Sequence, residues 1–401
     1  MSVKSRFLKY VTYDTQSDEN GTTTPSTLKQ LDLGRALVSE LHEMGVSNAY
    51  LDAFGYVYAV VEKNTESTTS IGLIAHLDTA TELSGKNVLP QIHLFEGKTI
   101  KISDDVFLSP IEFPKLARAK GHEIITASGN TLLGADDKAG IAIIMETLDR
   151  IIKENLAHPT IYVAFTPDEE IGEGTSHFNY DFFKVDFAYT LDGGDPNIIN
   201  YENFNASSTK VTIKGKAIHP GSAKNKMVNS INIAYEFDNY LPSKARPQYT
   251  EGYEGFIHLN NISGNVEETK MHYIIRNHDK NLFEKQKIDF LNACNHFNHK
   301  YGENTIELEL TDSYYNMASI LRNKMDIVNK AMQAIAKQGI IPITLPIRGG
   351  TDGARLTFMG LPCPNLGTGG YNFHGKYECI TIEDMNTMVN ILVQIVKDSL
   401  N

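Results

Sequence analysis

The sequence is short of cysteine, of basic charge and of long apolar runs, and each shortage excludes something. Its 401 residues hold three cysteines, Cys294, Cys363 and Cys379. They are too few and too scattered for a disulfide framework or a CxxC metal site, and they fit a reducing compartment. Thirty-seven Lys and Arg face 49 Asp and Glu, for a formal net charge of −12. That balance disfavours non-specific attachment to nucleic acid or to anionic membrane. No apolar run reaches about 18 residues, so no membrane-spanning helix is expected. The opening segment, MSVKSRFLKYVTYDTQ, carries neither an apolar core nor a small-residue cleavage site, so no signal peptide is read there. The expectation is a soluble, acidic, cytoplasmic protein.

Several catalytic signatures are missing too. Glu96-Gly97-Lys98-Thr99 ends like a phosphate-binding loop, but Ile92 stands where its first glycine belongs. No GxGxxG follows a strand. His42-Glu43 is not continued to HExxH, and GxSxG is absent. Nucleotide binding, zincin chemistry and a serine nucleophile therefore lose support.

What is present is ordinary globular composition, 41% hydrophobic and 21% charged, over a length that suggests two or three domains. In the first half, strands and helices alternate. Leu28, Leu31, Leu33, Ala36, Leu37, Leu41 and Met44 share one face of a helix predicted over 26–45. YVYAVVE at 56–62, IGLIA at 71–75, TIYVAF at 160–165 and VDFAYTL at 185–191 read as apolar strands. Residues 136–156 read as a helix apolar over most of its circumference. Such strands, separated by helices, predict an α/β domain with a mostly parallel sheet covered on both faces. From about residue 207 the order becomes strand (211–216), helix (222–241), strands (255–260 and 270–277), helix (280–301) and strand (305–311), a ferredoxin-like plan. Helices at 325–338 and 382–400 return to the first style. The division expected is a discontinuous domain, 1–206 plus 315–401, interrupted by a ferredoxin-like domain at 207–314.

Five motifs fall at strand ends or in loops, where an open α/β sheet places its ligands. They are His76-Leu77-Asp78, Gly134-Ala135-Asp136-Asp137, Asp168-Glu169-Glu170, Asp192-Gly193-Gly194 and the glycine-flanked loop that carries His374. Each alone has a bland explanation: a hydrogen-bonded histidine, helix capping, a solvated acidic loop, an Asp-Gly turn, a surface loop. Together they gather two imidazoles and several carboxylates, the N and O donors that zinc accepts. Residues two apart on an extended chain point the same way, so Asp78 can orient the ring of His76. A carboxylate bridging two metals would explain why acids dominate, and the chemistry would be metal-assisted hydrolysis.

These motifs carry a resemblance to a known family. HLDTA at 76–80, TLLGADDKAGIA at 131–142, AFTPDEEIG at 164–172, LDGG at 191–194, HPGSAK at 219–224, MHYIIRNHD at 271–279, IRGGTDGARL at 347–356 and TGGYNFHGK at 368–376 resemble the M20 metallopeptidases, and within them the tripeptide aminopeptidases. The resemblance runs nearly end to end. It implies that His76 and Asp192 bind one zinc and that Asp136 bridges to a second, held also by Glu170 and His374. It further implies a cis peptide just after Asp136, Glu169 as general base and Asp78 as the residue that orients His76. His219 would stabilise the oxyanion, in some relatives from the partner subunit, while Arg276 and Arg348 would grip substrate. The implied cofactor is two zinc ions per chain, with Co2+ or Mn2+ as substitutes. The implied substrates are tripeptides with a free N-terminus, and the expected assembly is a homodimer paired through the inserted domain. Asn277 stands where close relatives usually have Asp, and Leu77 and Ala80 depart slightly from the commonest wording. Two rival functions stay open at this point: an amidohydrolase acting on N-acyl amino acids, and a metal-dependent binding protein without catalysis.

Overall fold

The computed structural model describes residues 1–400. The chain divides into two compact units. The first comprises Met1–Tyr201, Ser319–Leu345 and Thr351–Asn401, and the second comprises Glu202–Ala318 with Pro346–Gly350.

The first unit is built on an eight-stranded sheet. Its spatial order is Tyr50–Leu51, Val57–Val61, Thr160–Thr166, Ser70–His76, Phe187–Gly193, Asn365–Gly367, Ile198–Asn200 and Ile343–Thr344. The four strands from Thr160–Thr166 to Asn365–Gly367 run parallel. Ile198–Asn200 lies antiparallel to Asn365–Gly367 and parallel to Ile343–Thr344, with Ile198 opposite Ile343. The sheet is thus mixed and mostly parallel at its centre, as the apolar runs predict.

One face is covered by helices. Ala135–Lys153 is buried along nearly its whole length, and its Ile141, Ile143, Ile144, Met145 and Leu148 join Leu73, Ala75 and Leu191 of the sheet. Helices Val3–Tyr10, Gln30–Glu43, Met325–Ala336 and Ile382–Asp398 add Phe7, Leu37, Val328 and Ile391 to the same core. Burying each such side chain contributes about 1.5–3 kcal/mol. The other face carries an aromatic cluster, Tyr56, Tyr58, Phe178 and Phe183, together with Leu356 from the short helix Asp352–Phe358. A separate antiparallel sheet, Gly370–Tyr371, Cys379–Thr381, Glu123–Thr126 and Gln91–Leu94, supports the loop that contains His374.

The second unit runs Asn205–Lys214, helix Ser230–Tyr240, Phe256–Gly264, Glu268–Asn277, helix Lys280–Tyr301 and Ile306–Tyr314. Its sheet order places Glu268–Asn277 and Asn205–Lys214 at the centre, all antiparallel, which is the ferredoxin-like plan. The alternation of TIELELT is visible in the last strand, where Ile306 is buried and Glu307 and Glu309 are exposed. The helix expected over 222–241 begins only at Ser230. Asn225 has a positive φ of 58°, and the Asn229 side chain accepts from the Ile231 amide as an N-cap. Among the described residues no helix is long and apolar enough to cross a membrane.

Candidate metal centre

The four central parallel strands deliver their C-terminal ends side by side, and each end supplies chemistry. Ser70–His76 ends in His76, with Asp78 two residues on. Thr160–Thr166 leads into Asp168-Glu169-Glu170. Phe187–Gly193 carries Asp192, and Asn365–Gly367 leads to the loop of His374. Asp136 comes from the start of the buried helix, at a break where its ψ is 105°, outside the helical range. The Asp136–Asp137 peptide is cis.

His76 Nε2 lies 2.9 Å from Asp136 Oδ1 and 3.8 Å from Asp192 Oδ1. His374 Nε2 lies 3.3 Å from the other oxygen of Asp136, Oδ2, and 3.2 Å from Glu170 Oε2. Asp136 therefore turns one oxygen to each imidazole. Donor atoms of His76, Asp136 and Glu170 fall within 4.8 Å of one another, as do those of His76, Glu169 and Asp192.

Asp78 acts on three neighbours. The Nδ1 of His76 is 3.0 Å from its carbonyl oxygen and 3.3 Å from its Oδ1. The Glu169 amide donates to Asp78 Oδ1 at 3.0 Å and the Glu170 amide to Oδ2 at 3.1 Å. One buried carboxylate thus orients the imidazole and pins the two following acids through their backbones. Asp137 takes the capping role: its oxygens accept the amides of His76 at 3.1 Å and Gly140 at 3.2 Å.

Four further residues support the cage. Glu82 Oε1 lies 3.2 Å from His374 Nδ1 and orients that ring as Asp78 orients His76. Asn365 accepts the Asp192 amide at 3.0 Å and donates to the Asp192 carbonyl at 3.0 Å. Asp168, with a positive φ of 58°, accepts from Ser26 N, Ser26 Oγ and Gln30 Nε2, each at 2.6 Å. Asp352 accepts from Thr166 Oγ1 at 2.8 Å. An acid on each side thereby braces the loop that holds Glu169 and Glu170.

The electrostatics are those of an anionic cage. Burial pushes the Glu170 carboxyl up to about 11 and that of Asp192 up to about 6, each reinforced by the charge of Asp136. Burial and the Asp192 charge likewise raise Glu169 well above the carboxylate range. Burial alone would also raise Asp136, but hydrogen bonds from His374 and His76 outweigh it and hold this carboxyl below its ordinary value. Burial opposes protonation of His76, yet its bonds to Asp136, Asp192 and Asp78 raise it. Glu170 Oε1 is buried with no hydrogen-bond partner. Crowded acids, an orphaned carboxylate oxygen and two facing imidazoles fit a divalent cation, whose charge would offset this repulsion.

The model of peptidase family M20/M25/M40 matches residues 130–398. A peptidase T from Caldanaerobacter subterraneus subsp. tengcongensis is 52% identical over 400 residues, covering 98% of each chain. The chain belongs to peptidase family M20. Two solved structures share its fold. An aminopeptidase PepT from Bacillus cereus has a TM-score of 0.80 at 20% identity, covering 100% of this chain and 98% of its own. A tripeptidase from Staphylococcus aureus has a TM-score of 0.80 at 22% identity, covering 99% of this chain and 98% of its own.

Of the ten residues that the M20 resemblance singles out, the first unit brings together His76, Asp78, Asp136, Glu169, Glu170, Asp192 and His374. His219, Arg276 and Arg348 belong to the second unit. His219 is exposed, and its Nδ1 accepts the Gly221 amide at 3.2 Å. Arg276 donates to the carbonyls of Ile275 at 2.9 Å and Ser207 at 3.3 Å, and lies over the Tyr314 ring. Arg348 spends its fork on the loop at 250–254, bonding the carbonyls of Gly252 at 2.8 Å and Glu254 at 2.9 Å and Thr250 Oγ1 at 3.0 Å. It also stacks over Phe204 and Phe256.

Proposed function

We propose that the chain is a di-zinc aminopeptidase that removes the N-terminal residue of tripeptides. One observation carries this reading: Asp136 faces His76 with one carboxylate oxygen and His374 with the other. His76, Asp192 and Asp136 would hold one cation, and Asp136, Glu170 and His374 the second. Bound there, the pair would supply Lewis acidity to water and to the scissile carbonyl. Glu169 then has the place of general base. In this assignment its carboxylate ligates neither cation, and its amide is pinned by Asp78. It takes the proton from water and returns it to the leaving amine.

The M20 membership, the 52% identity to a peptidase T and the names of the two structural neighbours support peptide bonds as the substrate class. For substrate, the second unit offers His219, Arg276 and Arg348. Arg348 would have to exchange carbonyl partners for a substrate carboxylate, which its fork can take bidentately. Exposed Ile231, Tyr235, Ile288 and Leu291 on the helices of that unit support a homodimer. Three free cysteines support a reducing compartment, the cytoplasm.

The test offers di-, tri- and tetrapeptides, with free and blocked N-termini and an N-acyl amino acid, to protein loaded with zinc or cobalt. Cleavage confined to free tripeptides is expected. Equal rates on all lengths would remove the length claim, and preference for the acylated compound would make the chain an amidohydrolase.

A further inference from the structure

Asp136 reaches its place without regular helix around it, and the loop before it has buried amides to satisfy. The Leu133 amide donates to Glu378 Oε2 at 2.7 Å and the Gly134 amide to the same oxygen at 2.9 Å. The Asp136 amide donates to Glu378 Oε1 at 3.0 Å. The Glu378 residue is 1% exposed. A single carboxylate from 242 residues away thus takes the place that an N-cap side chain occupies in an ordinary helix.

Glu378 also belongs to the far side of the cage. It lies four residues after His374 on the same loop, and its own amide donates to the Gly375 carbonyl at 3.1 Å. The next residue opens strand Cys379–Thr381, which is paired register by register with Glu123–Thr126. The carboxylate therefore extends from a platform fixed by a sheet. It joins the loop that bears His374 to the backbone that bears Asp136.

We infer that Glu378 is a positioning residue: it fixes the spacing between Asp136 and His374, and with it the affinity of the cation site those two share. The alternative is a purely structural role, in which the carboxylate only satisfies buried amides. The two differ in what they predict for metal. A structural bond lowers stability and touches both cation sites alike. A spacer between Asp136 and His374 weakens the site containing His374 more than the site containing His76 and Asp192. The inference rests on the proposed assignment of these residues as ligands.

The experiment titrates metal-free Glu378→Gln with cobalt against a chromophoric chelator, alongside the unsubstituted chain and Leu148→Ala. Gln keeps the volume but turns an NH2 group toward one of the three donating amides. Leu148 is fully buried in the same helix, remote in sequence from Asp136, so its truncation controls for lost stability. The expected result is one equivalent bound nearly as before and one weakened roughly 10–100-fold. Leu148→Ala, at a matched drop in melting temperature, should keep both. Unchanged binding in Glu378→Gln, or equal weakening of both equivalents, or the same loss in Leu148→Ala, overturns the inference. If the unsubstituted chain binds no divalent metal, the ligand assignment itself fails instead. Should Glu378→Gln not fold, Glu378→Asp, which keeps the charge but falls one methylene short, is titrated in its place. Selective weakening of one equivalent supports the inference, and equal weakening or none refutes it.

Discussion

The residues of the first unit and those of the second are held in different ways. Around His76, Asp136, Glu169, Glu170 and Asp192, nearly every side chain or its amide is fixed by a buried partner: Asp78, Asn365, Glu378. In the second unit, His219 is exposed and bonds within its own turn, while Arg276 is bonded to carbonyls of its own and the neighbouring strand and Arg348 to carbonyls of the loop at 250–254. Preorganisation is concentrated where charge must be held at fixed distances. The cationic side chains expected to meet substrate are parked on replaceable partners. The contrast fits a division of labour in which rigid groups hold metal and exchangeable groups hold peptide.

That comparison can be broken by substitution. The largest effect is expected from Asp136→Ala, which removes a donor facing both imidazoles. Metal content should fall toward zero and peptide cleavage with it, as measured by elemental analysis beside an activity assay. Glu169→Gln should keep metal while turnover falls about 10²–10⁴-fold, the usual worth of a general base. Equal loss of metal would reassign Glu169 as a ligand. Asp78→Asn retains one acceptor oxygen and puts an amide group opposite an N–H. Metal affinity or activity should drop about 10–100-fold, read from cobalt titration and steady-state rates. The smallest effect should come from Arg348→Lys. Lysine cannot fork across the carbonyls of Gly252 and Glu254, so KM should rise several-fold while metal content stays whole. A change in metal content there would erase the distinction between the two regions.

How much of this was legible beforehand depends on where a partner lies along the chain. The helix Lys280–Tyr301 and the strand around TIELELT follow from local periodicity and capping, and both were readable. The carboxylates and histidines of the cage were readable because each stands in a short motif at a strand end, at a helix start or in a glycine-flanked loop. Glu82 and Glu378 were not. Glu82 meets His374 across 292 residues, and Glu378 acts on backbone amides, which every residue has and no pattern reveals. Asp137 was ambiguous beside Asp136, since both are acids at a helix start. Only the geometry separates the cap from the residue that faces both imidazoles. The sheet Gln91–Leu94, Glu123–Thr126, Gly370–Tyr371 and Cys379–Thr381 escaped notice because its strands are two to four residues long, too short for alternation to register.

One topological detail bears on how such a chain could have been assembled. Ile198–Asn200 and Ile343–Thr344 are neighbouring parallel strands, and the second unit occupies most of the crossover between them. Parallel neighbours need a connection of only about a dozen residues, so the sheet sets a minimum for this excursion and no maximum. Because the strands run parallel, the connection leaves the C-terminal end of Ile198–Asn200 and returns to the N-terminal end of Ile343–Thr344. A whole module can therefore be gained, exchanged or remodelled at this point while the two strands keep their register. Change in the second unit is free to proceed there without disturbing the register of the sheet that carries the cage.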